Sequence, residues 1–215
     1  MKSGNVEEFI KYYQQKKVTG TYDCQREGTE YRKRKRALEL RYFLELLDKK
    51  GKEKVLELGC SSGFLTEHLD EVTAIDTSEG MLEIANKKNP KAKCIPGDMF
   101  EIPFNKNSFD KVVTMRVWNH LNKEDFEKAL RETKRVLKNR GIFVFDMEDK
   151  SLARRIVGFF YKRIFRTTGF KIYQYSLPEL KNILLRGGFT IQEVRFLKHR
   201  VGRQIILRTV LEKSM

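Results

Sequence analysis

The sequence predicts an α/β domain built on a mostly parallel sheet with helices on both faces. Three observations lead to this prediction. Short apolar segments of strand length alternate with amphipathic segments of helical length between residues 54 and 147. A glycine-rich turn, GCSSG, follows the first apolar segment, and two longer apolar segments end the chain. Alternating strands and helices imply right-handed crossovers, and therefore parallel neighbours within one sheet.

The short apolar segments predict five strands in the middle of the chain, over residues 54–58, 72–76, 92–95, 110–115 and 142–147. The segments between several of them predict helices. The first helix begins near Phe64, the second is capped by Ser78 and ends before Pro90, and the third covers residues 123–137. This alternation places helices on both faces of the sheet.

The two ends of the chain differ from the middle. Residues 1–50 predict a helical cap, because apolar side chains recur there at helical spacing. They are Val6, Phe9, Ile10 and Tyr13, and then Ala37, Leu40, Leu44 and Leu47. Residues 150–175 predict a basic amphipathic insert, and residues 176–215 a helix followed by a β-hairpin with its turn near Gly202. At 215 residues the chain is expected to form a single domain around a core over residues 51–149.

The charge is unevenly distributed. The chain carries 44 Lys and Arg against 29 Asp and Glu, a net charge of +15. The net charge is +5 over residues 1–50, −2 over residues 51–149 and +12 over residues 150–215. The positive field of the C-terminal third indicates an anionic partner, which is RNA, an anionic membrane surface or an acidic small molecule.

Several classes of protein are excluded by composition. The longest apolar run is far shorter than the roughly 20 residues that a transmembrane helix needs. The N-terminus lacks the apolar core of a secretory signal. Cys24, Cys60 and Cys94 are spaced neither as a disulfide framework nor as a zinc site, so we expect no bound metal and a cytoplasmic location.

The GCSSG turn has three interpretations. As a dinucleotide-binding loop counted from Gly59, it places Ser61 and Phe64 where glycines belong, and Phe64 opposes the close packing that the third glycine permits. As a nucleophile elbow it matches G-x-S-x-G, with Asp146 and His199 as partners in the required order, which makes a serine hydrolase an alternative. The third interpretation accounts for more of the chain.

Five segments follow one another along the chain: VLELGCSSG (55–63), AIDTSEGML (74–82), GDMFEIPF (97–104), SFDKVVTMRVWNHL (108–121) and RVLKNRGIFVF (135–145). In this order they resemble the motifs of the class I S-adenosylmethionine-dependent methyltransferases, in particular the broad group typified by quinone and small-molecule methylases. SLPELKNILLRGGF (176–189) is also similar to a segment of that family. Ser61 replaces the middle glycine of the first motif, a departure that a small residue should tolerate.

The resemblance implies a Rossmann-like sheet of seven strands, S-adenosylmethionine as cofactor and methyl transfer as activity. Asp76 would hold the ribose hydroxyls, and Asp98 the adenine amino group. The other cofactor-binding residues that it implies are Glu57, Gly59, Cys60, Ser61, Gly63, Thr77, Met81, Met99, Phe100 and Met115. Tyr12, Tyr13 and Tyr22 belong to an N-terminal segment that often folds over the cofactor in this family.

The methyl acceptor is expected near the ends of the fourth and fifth strands, where the candidates are Arg116, Trp118, Asn119, His120, Asp146 and Glu148. His120 is the candidate general base, because the ordinary pKa of histidine suits that role. The resemblance implies a lipid-like, quinone-like or other small-molecule acceptor. The alternatives are RNA, bound through the basic C-terminal third, and a non-catalytic binding module. The insert at 154–171 would cover the site, bind an anionic membrane surface or bind RNA.

Overall fold

The computed structural model describes residues 2–15, 18–19, 21–22, 28–150, 171–199 and 202–212. In this part of the chain eight strands form one sheet in the order β3-β2-β1-β4-β5-β8-β7, with β6 paired to β5. The strands are β1 Val55–Leu58, β2 Val72–Asp76, β3 Lys93–Pro96, β4 Phe109–Thr114, β5 Leu137–Asp149, β6 Gln174–Tyr175, β7 Phe189–His199 and β8 Gly202–Leu211. Neighbouring strands from β3 to β5 are parallel, and β8 is antiparallel to both β5 and β7. The predicted fold class is confirmed, with the two-residue β6 added to the seven expected strands.

Helices cover both faces of the sheet. Those in the described residues are α1 Gly4–Tyr13, α2 Glu30–Leu47, α3 Glu79–Lys88, α4 Lys123–Val136 and α5 Leu177–Gly187, with short 3-10 helices at Thr66–His68 and Trp118–His120. Alternation along the strands sends Leu56 and Val112 to the core under α4 and α5, whereas Val55 and Val113 face α2. The sheet is therefore buried between two helical layers, as a parallel sheet requires.

Local sequence signals set the helix ends. The Ser78 side chain accepts a hydrogen bond from the backbone N–H of Met81 at the start of α3. Ser176 and Glu179 form a reciprocal capping box at the start of α5, and Gly188 ends that helix with a left-handed φ of 87°. These ends agree with the predicted ones within a residue or two.

The helix predicted near Phe64 is wrong. Only the single 3-10 turn Thr66–His68 forms there. Eight residues separate Gly63 from the start of β2, and a longer helix would leave no chain for the return to the sheet. Glu71 makes that return with a left-handed φ of 52°.

The apolar stripe that indicates helix α2 is only partly buried in the structure. Ala37 is exposed, and Leu40 and Leu44 are half-buried. The buried residues of this helix are instead Arg36, Glu39, Phe43, Leu46 and Leu47. Leu47 belongs to both sets, and Leu40 and Leu44 pack against the core cluster that contains it.

Some predicted features lie outside the described residues. They are Cys24, nearly all of the basic insert at 154–171, and the first residues of the hairpin turn before Gly202. No helix in the described ranges combines the length and the apolar character that crossing a membrane demands.

Candidate active site

A cavity opens at the carboxyl ends of β1, β2 and β4, and helix α1 covers part of it. It contains about 1110 Å³ of empty space, part of which is continuous with solvent. Of the twelve predicted cofactor-binding residues and the candidate base, all but Gly63 line it: Glu57, Gly59, Cys60, Ser61, Asp76, Thr77, Met81, Asp98, Met99, Phe100, Met115 and His120. Ligands of open α/β sheets bind at this edge.

Gly63 is the one predicted cofactor-binding residue that does not line the cavity. Its φ is 81°, and a Cβ at this position would stand 2.5 Å from the Asn89 amide nitrogen. Gly63 therefore lets the turn pack against α3, and its contribution to the cavity is indirect.

The turn after β1 is held in an unusual conformation. The backbone N–H groups of Gly59 and Cys60 both donate to the carbonyl of Ile75, over 2.8 and 3.1 Å. Gly59 has a φ of 70°, and a Cβ there would lie 2.6 Å from a methyl carbon of Val117. Ser61 is also left-handed, with a φ of 51°. A left-handed residue other than glycine costs free energy and is often found at functional sites.

Asp76 joins this turn to the end of β2. Its carboxylate accepts the backbone N–H of Ser61 over 2.8 Å and that of Ser78 over 2.9 Å. A carboxylate can accept hydrogen bonds along about four lone-pair directions, so two remain for the hydroxyl groups of a diol. Burial raises the pKa of Asp76, against the lowering effect of these N–H donors.

Glu57 lies at the bottom of the cavity with only 2% of its surface exposed. The hydroxyl of Thr66 donates to its carboxylate over 2.7 Å. Burial raises the pKa of Glu57 to about 8. Burial thus favours the neutral acid, and a cation placed beside it would favour the ionised form.

Asp98 is the most accessible of the three acids. One oxygen accepts the backbone N–H of Phe100 over 2.9 Å, and the other pairs with the ammonium of Lys2. That ammonium also lies 5.6 Å from the centre of the Phe100 ring. The ion pair with Lys2 was not predicted, since nothing in the local sequence connects residue 2 to this acid.

The comparisons with known proteins agree with this geometry. A family profile described as a methyltransferase domain matches residues 56–145. The demethylmenaquinone methyltransferase of Thermotoga maritima is 31% identical over 173 residues, which cover 73% of this chain and 72% of that protein. The chain belongs to the class I S-adenosylmethionine-dependent methyltransferases.

Other relatives overlap less or share mainly the fold. The uncharacterized protein MJ1252 of Methanocaldococcus jannaschii is 37% identical over 91 residues, and the match spans only 35% of its length. The magnesium protoporphyrin IX methyltransferase ChlM of Synechocystis, solved with bound S-adenosylmethionine, superposes with a TM-score of 0.73 at 17% identity and covers 97% of both chains. The cofactor of this methyltransferase is S-adenosylmethionine.

The acceptor candidates of the methyltransferase fall into two groups. Arg116 and His120 line the cavity, whereas Trp118, Asn119, Asp146 and Glu148 do not. Trp118 is fully buried and packs edge-on against Phe126 with ring centres 4.6 Å apart. Its role is therefore structural. The His120 ring stacks on Phe9 at 4.1 Å with an interplanar angle of 29°.

Helix α1 brings apolar side chains to the cavity and is tied down by polar contacts. Val6, Phe9, Ile10 and Tyr13 line the cavity together with Tyr22, whereas Tyr12 does not. The Ser3 side chain donates to Asp125, and the Asn5 amide donates to the backbone carbonyl of His120 over 2.9 Å. The hydroxyl of Ser78 donates to the carbonyl of Tyr13 over 2.8 Å. The methyltransferase thus holds its N-terminal helix against both ends of the cavity.

Sequence reasoning missed Arg36. This arginine is 7% exposed, lines the cavity, and places its guanidinium 3.6 Å from the centre of the Phe64 ring. In the sequence it stands within YRKRKR, where a solvated basic face is the ordinary expectation. The signal that was available is its spacing from Phe43, which puts both side chains on one stripe of α2.

The structure does not assemble the triad of a serine hydrolase. Among the described residues the Ser61 hydroxyl contacts only the sulfur of Met81, at 3.5 Å. His199 lies 3.2 Å from Glu148 instead. Asp146 accepts hydrogen bonds from the backbone of Arg116 and from Gln204. The nucleophile-elbow interpretation of GCSSG therefore fails on geometry.

Proposed function

We propose that this enzyme transfers the methyl group of S-adenosylmethionine to a small, hydroxylated aromatic acceptor of the quinol type. The observation that carries the proposal is one cavity with acids on three adjacent strand ends and aromatic rings above them. The Thermotoga maritima relative, whose name specifies a demethylated menaquinone, supports an aromatic acceptor.

Each of the three acids would contact a different part of the cofactor. Asp76 would accept the two ribose hydroxyls with the lone pairs that Ser61 and Ser78 leave unused. Asp98 would accept the adenine amino group in place of Lys2. Glu57 would face the positively charged methionine end, where its ionised form is favoured.

The remaining predicted residues form the walls of this cofactor region. Gly59 lets Val117 pack against the turn, because a Cβ at residue 59 would lie 2.6 Å from a methyl carbon of Val117. The other wall residues that we assign to the cofactor are Cys60, Ser61, Thr77, Met81, Met99, Phe100 and Met115. Gly63 supports the turn from behind.

Methyl transfer is an in-line displacement at carbon, so positioning supplies most of the rate. Phe9, Tyr13 and the stacked His120 offer an aromatic surface for a flat acceptor. His120 would take the proton of the acceptor hydroxyl and would release it to water afterwards. The products are the methylated acceptor and S-adenosylhomocysteine.

Two measurements test the proposal. Isothermal titration calorimetry should show binding of S-adenosylhomocysteine, and absence of binding would contradict the cofactor site. Tritium from methyl-labelled S-adenosylmethionine should then appear in reduced 1,4-naphthoquinone. Transfer to fractionated RNA and not to the naphthoquinol would instead support the role of the basic C-terminal third and refute the acceptor class.

A further inference from the structure

Arg116 occupies a strained position directly after β4. Its φ is 61°, in the left-handed region that costs an arginine free energy. Its backbone N–H donates to the carboxylate of Asp146 over 2.6 Å. The buried carboxylate of Asp146 on the neighbouring strand β5 thus stabilises the strained backbone of Arg116. In this conformation Arg116 lines the cavity.

The guanidinium of Arg116 is fixed from behind by Glu39. The Arg116 Nε donates to one oxygen of this carboxylate over 2.9 Å, and Nη2 pairs with the other. Glu39 is completely buried. Such a two-pronged pair sets the plane of the guanidinium as well as its position.

Gln204 completes this network. Its side-chain N–H₂ group donates to Glu39 over 2.7 Å and to Asp146 over 2.5 Å. Burial, followed by the charge of Glu39, raises the pKa of Asp146 to about 7. The network therefore holds less negative charge at neutral pH than its two carboxyl groups suggest.

The Nη1 edge of the Arg116 guanidinium faces away from Glu39 and can donate hydrogen bonds to a ligand. Glu39 engages Nε and Nη2, and no residue in the described ranges hydrogen-bonds Nη1. Arg36 lines the same cavity and adds a second positive charge. The cavity is therefore polarised, with acids at the ends of β1 to β3 and guanidinium groups beside β4 and α2.

We infer that Arg116 binds the methyl acceptor as an oxyanion, namely an ionised ring hydroxyl or a carboxylate on the ring. The inference rests on the proposed function and extends it to the charge of the acceptor. A guanidinium favours the ionised form of a nearby hydroxyl, whose proton leaves to His120 or water before transfer. The anionic acceptor would then form a bond to the methyl carbon while the C–S bond breaks. The electron pair of the C–S bond would stay on sulfur, so neutral sulfur leaves as part of S-adenosylhomocysteine.

A guanidinium at this place has one other plausible ligand, the carboxylate at the methionine end of the cofactor. The two assignments predict different effects of Arg116→Gln. If Arg116 serves the acceptor, affinity for S-adenosylhomocysteine changes less than twofold. If it serves the cofactor, that affinity falls at least tenfold, whereas 5′-methylthioadenosine, which lacks the amino acid, binds as before.

The test uses 4-nitrophenol as a probe, since the absorbance of its phenolate reports ionisation directly. The probe is titrated into protein saturated with S-adenosylhomocysteine. We expect wild-type protein to bind the phenolate at least tenfold more tightly than Arg116→Gln does, and to lower the pH at which the bound probe ionises. The neutral ether 4-nitroanisole should bind both proteins equally. Arg195→Gln, at a half-buried position on β7, is the matched control and should behave as wild type.

Removal of Arg116 alone leaves Glu39 buried without its partner, which is strongly destabilising. The double variant Glu39→Gln/Arg116→Gln removes both charges together and gives the same comparison if the single variant does not fold. Equal phenolate affinities in wild type and variant, or a loss of cofactor affinity as described above, would overturn the inference. Wild-type protein that binds no S-adenosylhomocysteine would overturn the proposed function itself.

Discussion

Replacement of Glu57 by glutamine should stabilise the ligand-free protein, and the gain should grow with pH. The pKa of this acid is about 8 when buried in the folded protein, against 4.5 ordinarily. Between these values the unfolded chain is ionised while the folded protein keeps the proton. A raised pKa of an acid means that its favourable contribution is complete below pH 4.5 and is lost as pH rises toward 8.

The size of the effect follows from the shift. Each pH unit in this window costs the wild-type protein about 1.4 kcal/mol, or about 3 kcal/mol by pH 7. Glu57→Gln keeps an oxygen to accept the hydrogen bond of Thr66 but does not titrate. The free energy of unfolding in urea, followed by circular dichroism at pH 5, 6, 7 and 8, gives the difference between the two proteins. The added amide N–H₂ contributes a constant offset, so the slope is the quantity that matters.

The same carboxyl group links cofactor binding to pH. The positive methionine end of S-adenosylmethionine should bind the ionised form of Glu57, so wild-type affinity should rise with pH until about pH 8. Glu57→Gln should bind more weakly at pH 8 and show a much flatter profile. Parallel stability curves for the two proteins, with no change in slope between pH 5 and 8, would refute the reasoning about burial.

Three further substitutions test other parts of the cavity. Asp76→Ala should weaken S-adenosylhomocysteine binding more than tenfold in calorimetry while the far-ultraviolet spectrum is unchanged; undiminished affinity would contradict the ribose assignment. Gly59→Ala should lower the free energy of unfolding by roughly 1–3 kcal/mol, because it adds left-handed strain and a clash with Val117, and a urea midpoint equal to that of wild type would argue against this. Lys2→Ala should raise affinity for S-adenosylhomocysteine severalfold by freeing Asp98, whereas weaker binding would show that Lys2 assists the ligand.

The strands could be predicted from sequence because their signals are local. The buried run at 54–58 and the run at 72–76 lie within short segments whose pattern does not depend on distant residues. The assignment of Asp76 and Asp98 to the cofactor comes from the family resemblance and stays a prediction. The parallel topology then brings Glu57, Asp76 and Asp98 to one edge. The helix predicted after Gly63 does not form, because the length of this segment depends on how soon the chain must return to β2.

The acceptor end could not be predicted in the same way. The burial of Glu39 makes sense only with Arg116 and Gln204, which are 77 and 165 residues away in the chain. Apolar periodicity therefore indicates the helix α2 but not the burial of Arg36 and Glu39 within it. Contacts of this kind need the tertiary arrangement, because no local pattern distinguishes a charged residue that meets a buried partner from one that meets water.

The position of Gln204 on β8 has a consequence for biosynthesis. The three acids that we assign to the cofactor lie in β1, at the end of β2 and just after β3, and these strands leave the ribosome early. The hydrogen bonds that join Glu39 to Asp146 cannot form before residue 204 has been translated and β8 has inserted between β5 and β7. A nascent chain therefore carries the three acids well before the hydrogen bonds behind Arg116 can form, and this end of the cavity is completed last.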